Sequence, residues 1–191
     1  MVVAHPGADS FCAALATQAV GELRAHGFSV ALQDLYADGF DPRMPLAEVG
    51  TTFMADELVS RYAAEVLAAD VIVVVHPVWF FHVPGILKGW VDRVLREGIV
   101  YELRGGGESV GRLMARSALL LNTANAPESV EAEVLGDPLD VFWRRVVFAP
   151  AGVSDVRRLR FAKVAGSSAA QRAAWLAEAR LALSALASEA S

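Results

Sequence analysis

From Val71 to Val75 every position is apolar, with no alternation between inside and outside residues. A strand buried on both faces of a parallel sheet reads this way. After Pro84 the period becomes helical: Ile86, Leu87, Trp90, Val94 and Leu95 share a side, with Lys88, Asp92, Arg93 and Arg96 mostly off it. Pro84 suits the first turn of that helix, where its missing N–H is not needed. Between the two lies His76-Pro77-Val78-Trp79-Phe80-Phe81-His82-Val83, so the pattern predicts a buried strand, an aromatic loop between prolines, and an amphipathic helix. In an open α/β sheet the crevice beyond the carboxyl ends of the strands is where ligands bind.

The rest of the chain alternates in the same manner. Met1 to Ala4 reads as a very short strand, followed by the turn His5 to Ser10 and a helix from Phe11 to about His26 that Gly27 stops. Ser29 to Asp34 reads as a second strand, and Leu35 to Thr52 as irregular, broken by Gly39, Pro42 and Pro45. Asp56 to Ala69 is helical and leads into the central strand. Gly98 to Gly111 reads as a loop carrying Tyr101, with Gly105-Gly106-Gly107 as a flexible turn. A fourth strand, Ala118 to Leu121, ends at Asn122-Thr123-Ala124-Asn125. Asp137 caps a helix from Pro138 to about Phe148, Val153 to Val164 offers a fifth strand, and Ser167 or Ser168 caps a long final helix. Without internal repeat or linker, this alternation predicts one domain over residues 1–191 with a parallel, doubly wound sheet.

Composition narrows the function. A net charge of −5 argues against nucleic acid as a partner, and the densest basic cluster, Arg157-Arg158 with Arg160, reads as solvated surface. The single cysteine, Cys12, excludes an intramolecular disulfide and a cysteine metal cluster, reads as a packed helix residue, and fits a cytoplasmic location. No run reaches the roughly 18 apolar residues of a membrane span, so direct membrane insertion is not expected. His5, His26, His76 and His82 lack metal-ligand spacing, and no metal site is expected.

The stretch HPVWFFHVPGILKGWVDRVLREGIVY, with His5-Pro6-Gly7-Ala8-Asp9-Ser10-Phe11, resembles the signatures of the flavodoxin-like NAD(P)H:quinone oxidoreductases. That family includes the DT-diaphorase type, bacterial quinone reductases and soluble ancillary subunits of glutathione-gated potassium efflux systems. The resemblance implies a three-layer flavodoxin-like α/β fold with five parallel strands in the order 2-1-3-4-5. It also implies a two-electron, ping-pong reduction of quinone-like acceptors by NAD(P)H, with FAD as cofactor and FMN as the alternative. A homodimer with its sites at the subunit interface is implied too. The alternative function is that of a flavin-binding regulatory subunit of a potassium-efflux-type transporter. Related chains carry a few more residues in the first strand, so either a start upstream of Met1 or a clipped strand is expected.

Three strand ends then supply the candidate site. His5 and Ser10 can donate to a phosphate at a helix N-terminus, with Phe11 as a wall, although Ser10 or Asp9 could equally cap the helix. Cys12 stands where the family often has Asn. Pro77, Val78, Trp79, Phe80 and Phe81 would lie against the isoalloxazine ring, with backbone N–H groups near N5 and O4. Lys88, Gly89 and Trp90 read as structural or dimer-facing. The third loop departs from the family's Thr-Thr-Gly-Gly and lacks the Tyr and His that follow it. Asn122, Thr123, Ala124 and Asn125 remain candidates for the pyrimidine edge. His82 is a candidate proton donor or a packing residue, and Tyr101 matches an aromatic residue that in the family lines the substrate pocket from the partner subunit.

Overall fold

The computed structural model describes residues 1–190. Its main sheet is parallel, built from β1 (Val2–Val3), β2 (Gln33–Asp34), β3 (Val71–Pro77), β6 (Ser117–Thr123) and β7 (Asp155–Phe161) in the order β2-β1-β3-β6-β7. With the intervening hairpin strands set aside, this is the expected 2-1-3-4-5 order. Helices α2 (Glu57–Leu67), α3 (Gly85–Val94) and α4 (residues 138–151) cover one face. Helix α1 (Phe11–Ala25) and the final helix α5 (Ala169–Ala190) cover the other.

Burial on both faces explains the unbroken apolar run. Along β3, Ile72, Val74 and His76 face the α2–α3–α4 side, while Val73 and Val75 face α1 and α5. The neighbouring β6 divides in the same way, with Leu120 on one face and Leu119 and Leu121 on the other.

Four expectations are corrected. The second strand is only Gln33–Asp34, because β1 offers Val2 and Val3 alone as partners. Residues before Gln33 therefore lack a ladder and stay irregular. The stretch around Tyr101 is not a loop but an antiparallel hairpin, β4 (Tyr101–Leu103) with β5 (Ser109–Gly111), turning at Gly106 and Gly107, both at positive φ. The fourth helix runs on past Phe148 to Ala151, and its middle, Val141–Phe148, is wound as a π-helix. Finally, Arg158 and Arg160 are not solvated: strand alternation turns both inward, onto Glu131 at 3.1 and 2.9 Å. Asp137 completes this cluster, 2.7 Å from Arg158, while Arg157 on the opposite face meets Asp155 and Glu189.

The irregular segment 35–54 is tied down by α3. A Cβ on Gly89 would lie 2.3 Å from the Pro42 ring, so only glycine lets the segment approach. Trp90 donates its indole N–H to Gln33 at 2.9 Å, and Arg93 pairs with the buried Glu48 at 2.9 Å. Of the two expected roles, structural or dimer-facing, Gly89 and Trp90 take the structural one, whereas Lys88 makes an exposed ion pair with Asp92.

Candidate cofactor groove

The carboxyl ends of β1, β3 and β6 converge on an open groove of about 520 Å³. Because β1 and β6 both pair with β3, loops far apart in sequence lie side by side. His5, Ser10 and Phe11 line it from the first loop, Pro77 to Phe81 from the second, and Thr123 to Asn125 from the third. Cys12, Ala126, Val164 and Ala165 complete the lining and were not among the candidates; Ala126 lies in the loop after β6, and Val164 and Ala165 in the short 3-10 helix Val164–Gly166.

The first loop presents donors. Ser10 is the N-cap of α1, its Oγ accepting from Ala13 N–H at 3.1 Å, so the capping alternative is realised and Asp9 stays exposed. Gly7 N–H donates to His5 Nδ1 at 2.9 Å, which places the proton of the neutral imidazole on Nε2. The amide N–H groups of Phe11 and Cys12, at the helix start, have no partner among the described residues. Phe11 itself is propped edge-on by Phe161 at 5.8 Å and by Trp175 at 5.7 Å.

The second loop is a two-residue hairpin turn. Trp79 and His82 exchange both N–H···O bonds at 3.0 Å, while Phe80 and Phe81 between them hold φ of 48° and 58°. Such a turn ordinarily takes Asn-Gly, and two phenylalanines there store strain of about 1–3 kcal/mol each. The turn leaves Trp79 at 43% and Phe80 at 100% exposure. The N–H groups of Phe80 and Phe81 make no hydrogen bond among the described residues.

The third loop spends most of its polar groups internally. Thr123 Oγ1 meets Cys12 Sγ at 3.1 Å, and burial pushes the Cys12 thiol up to about 11, against the pull of Thr123. Asn125 Oδ1 accepts from Ala165 N–H at 3.0 Å, leaving its amide NH₂ as the free end. Asn122 does not reach the groove: alternation along β6 sends its side chain to the other face, where Nδ2 donates to His76 Nε2 at 2.8 Å. This corrects the expectation that Asn122 contacts a ligand.

The two candidate catalytic residues lie outside the groove of their own chain. His82 packs edge-on against Phe142 at 4.7 Å, outside the groove lining, as its packing alternative expects; burial holds its imidazole below the ordinary range. Tyr101 sits on the β4 strand against the α2–α3–α4 core and does not line its own chain's groove. His76, read in the sequence only as the first residue of the aromatic loop, is fully buried. Its Nε2 also accepts from Trp143 Nε1–H at 3.2 Å, while its Nδ1 donates to Pro77 O at 2.9 Å. Burial lowers it to about 4, helped by the Arg158 charge and opposed by the Pro77 bond.

The groove can therefore hold a flat, largely apolar ring carrying carbonyl acceptors, extended by an anionic tail toward the start of α1. Among the described residues no group of histidine, cysteine and carboxylate side chains could hold a metal ion, and no helix is long and apolar enough to cross a membrane.

Comparison with known proteins agrees with this geometry. The profile of the family described by its flavodoxin-like fold matches residues 1–186. Ribosyldihydronicotinamide dehydrogenase (quinone) of Pongo abelii is 34% identical over 63% of this chain, and the match spans 60% of that relative's length. The FMN-dependent NADH:quinone oxidoreductase of Ralstonia nicotianae is 30% identical over 84% of this chain and 72% of its own. The structure of the NAD(P)H:quinone oxidoreductase of Methanothermobacter marburgensis superposes with a TM-score of 0.83 at 23% identity, covering 96% of this chain and 95% of that one. At that identity the superposition speaks for the fold alone.

Proposed function

Because the chain belongs to the family with the flavodoxin-like fold, we propose that it is a flavin-dependent NAD(P)H oxidoreductase that reduces quinones or related acceptors. The observation that carries this reading is the groove where the three loops meet, with aromatic walls, unpaired N–H groups and a phosphate-ready helix start at one end. A bound flavin supplies the chemistry, accepting a hydride from NAD(P)H and passing two electrons to the acceptor.

The protein's own residues bind and orient. His5 Nε2–H, the Ser10 hydroxyl and the free N–H groups of Phe11 and Cys12 hold the phosphate. Trp79 and Phe81 wall the ring, and the N–H groups of Phe80 and Phe81 stand ready for its polar edge, where charge gathers on reduction. The Asn125 amide donates at the pyrimidine side. Thr123 acts indirectly, by fixing Cys12 and the loop. The lining contains no carboxylate, lysine or arginine, so ring charge is met by neutral dipoles, and the open mouth lets solvent supply the proton that completes the reduction.

FMN is the form of flavin we favour over FAD. The groove's size suits a mononucleotide ending at the His5 turn, and the Ralstonia relative is FMN-dependent by name. The relatives' names speak of oxidoreductases and lend nothing to a transporter-subunit role. The acceptor class, an intracellular location and a homodimer complete the reading as proposals. In a dimer, Tyr101 would serve the partner's groove, since it does not serve its own.

Reconstitution with FMN followed by NADH or NADPH oxidation with a soluble quinone tests this. Parallel lines in double-reciprocal plots are expected, because both substrates use one ring face in turn. Bound flavin with no turnover would overturn the enzymatic reading.

A further inference from the structure

The third loop leads from β6 into a short helical segment, residues 128–134, and two arginines of β7 fasten that segment to the sheet. Arg158 holds its far end, donating to the two carboxylate oxygens of Asp137 at 2.7 and 3.0 Å and to Glu131 at 3.1 Å. Arg160, two residues on and so on the same face of the strand, takes the near end, 2.9 Å from Glu131 and 3.4 Å from Glu128. Glu128 and Glu131 stand three apart, which puts them on one side of a helical turn. Just before Glu128 come Asn125 and Ala126, which line the cofactor groove. Phe161, next in β7, braces the same loop, its carbonyl accepting from Ala124 N–H at 2.9 Å.

The two arginines differ in how well they are bonded. Arg160 is only 6% exposed, yet its Nε and Nη1 make no hydrogen bond of regular geometry among the described residues. Nor does Oδ1 of Asn122, its register neighbour on β6. Glu128 is 74% exposed, so its pair with Arg160 adds little to stability. A buried cation bonded this poorly stabilises a fold no better than a hydrocarbon of the same volume. What it does supply is a fixed place for the start of the segment. We propose that Arg160 is a positioning residue of the cofactor groove: by holding Glu128 and Glu131 it sets the pose in which the third loop presents Asn125 and Ala126. That the groove's occupant is a flavin rests on the reading above; the hold on the loop does not.

Arg160→Met keeps the volume and removes the charge, while Glu131 retains Arg158. Amide hydrogen exchange of the protein without added flavin reads the loop directly. Exchange over residues 124–129 should quicken several-fold, with residues 132–137, held by Arg158, unchanged and the unfolding midpoint no lower than in the wild type. FMN affinity should fall about tenfold, the equivalent of one lost hydrogen bond to the ring, and Arg160→Lys, which keeps the charge, should recover most of it. Glu128→Gln should quicken the same exchange without disturbing any buried group. Exchange and FMN affinity as in the wild type in both Arg160→Met and Glu128→Gln would overturn the proposal. So would a lowered midpoint with affinity lost alike in Arg160→Met and Arg160→Lys, which would mark the side chain as structural alone. If the wild type takes up no FMN, the flavin reading falls instead, and exchange alone decides whether Arg160 holds the loop.

Discussion

His76 closes β3 with both ring nitrogens committed, Nδ1 donating to Pro77 O and Nε2 accepting from Asn122 and Trp143. A protonated ring would have to break the Nε2 bonds inside a dry core, which is why it titrates near pH 4 rather than 6.5. The sign of the consequence is fixed. Above pH 6.5 the ring is neutral folded or unfolded and contributes nothing to pH dependence. Between 6.5 and 4 only the unfolded chain takes up the proton, so stability falls as pH falls, and the dependence ends once the native ring also protonates. From pH 7 to pH 5 this loss amounts to about 2 kcal/mol. Urea unfolding at the two pH values should therefore show a steeper decline for the wild type than for His76→Gln; equal declines would contradict the buried neutral ring. Nothing in the sequence separated His76 from His82. Alternation along β3 buries the first, and the hairpin turn sets the second against Phe142.

The elements that position the site were legible where a period or a glycine carried the information. The apolar run of β3 and the helical spacing of α3 gave their places directly, and Gly89-Trp90 read as structural or dimer-facing, although the partner that decides for the first, Pro42, could not be read from spacing. Gly89→Ala should cost roughly 1–3 kcal/mol through a Cβ forced on Pro42, seen as a lowered denaturation midpoint; an unchanged midpoint would mean that the segment yields freely. Other features had no local signal. A π-wound middle in α4 keeps an ordinary helical pattern in sequence, yet it presents Trp143 to His76. The Trp79–His82 turn was hidden for the opposite reason, since Phe80-Phe81 contradicts the residue preference of such a turn. Phe80 is fully exposed, so Phe80→Asn removes strain without losing burial and should raise stability by about 1 kcal/mol in the same assay. A loss would show that the ring is held by contacts in the folded protein.

At the scale of the whole molecule, five parallel strands bring three loops to one edge; alternating strands and helices foretold the parallel, doubly wound sheet, and the family resemblance supplied its strand order. The first two loops were legible as the lining of one groove through the family resemblance; taken alone, an aromatic trio after a strand and a serine before a helix read more readily as core and cap. The third was only half legible. Its polar residues look alike in sequence, but strand alternation and tertiary bonds take Asn122 to the opposite face and occupy Thr123, leaving Asn125 with a free amide. The arginines of β7 misled for the same reason, since their buried acidic partner, Glu131, comes from a distant short helix, Val130–Val134. What the architecture is for rests on the groove's aromatic wall. Titration of the protein with FMN, followed by flavin fluorescence, measures this directly in the wild type and in Trp79→Ala. The account predicts saturable quenching in the wild type and affinity weakened about tenfold in the variant, with unfolding midpoints that agree closely. Equal affinity in the two proteins, or no binding by either, would contradict it.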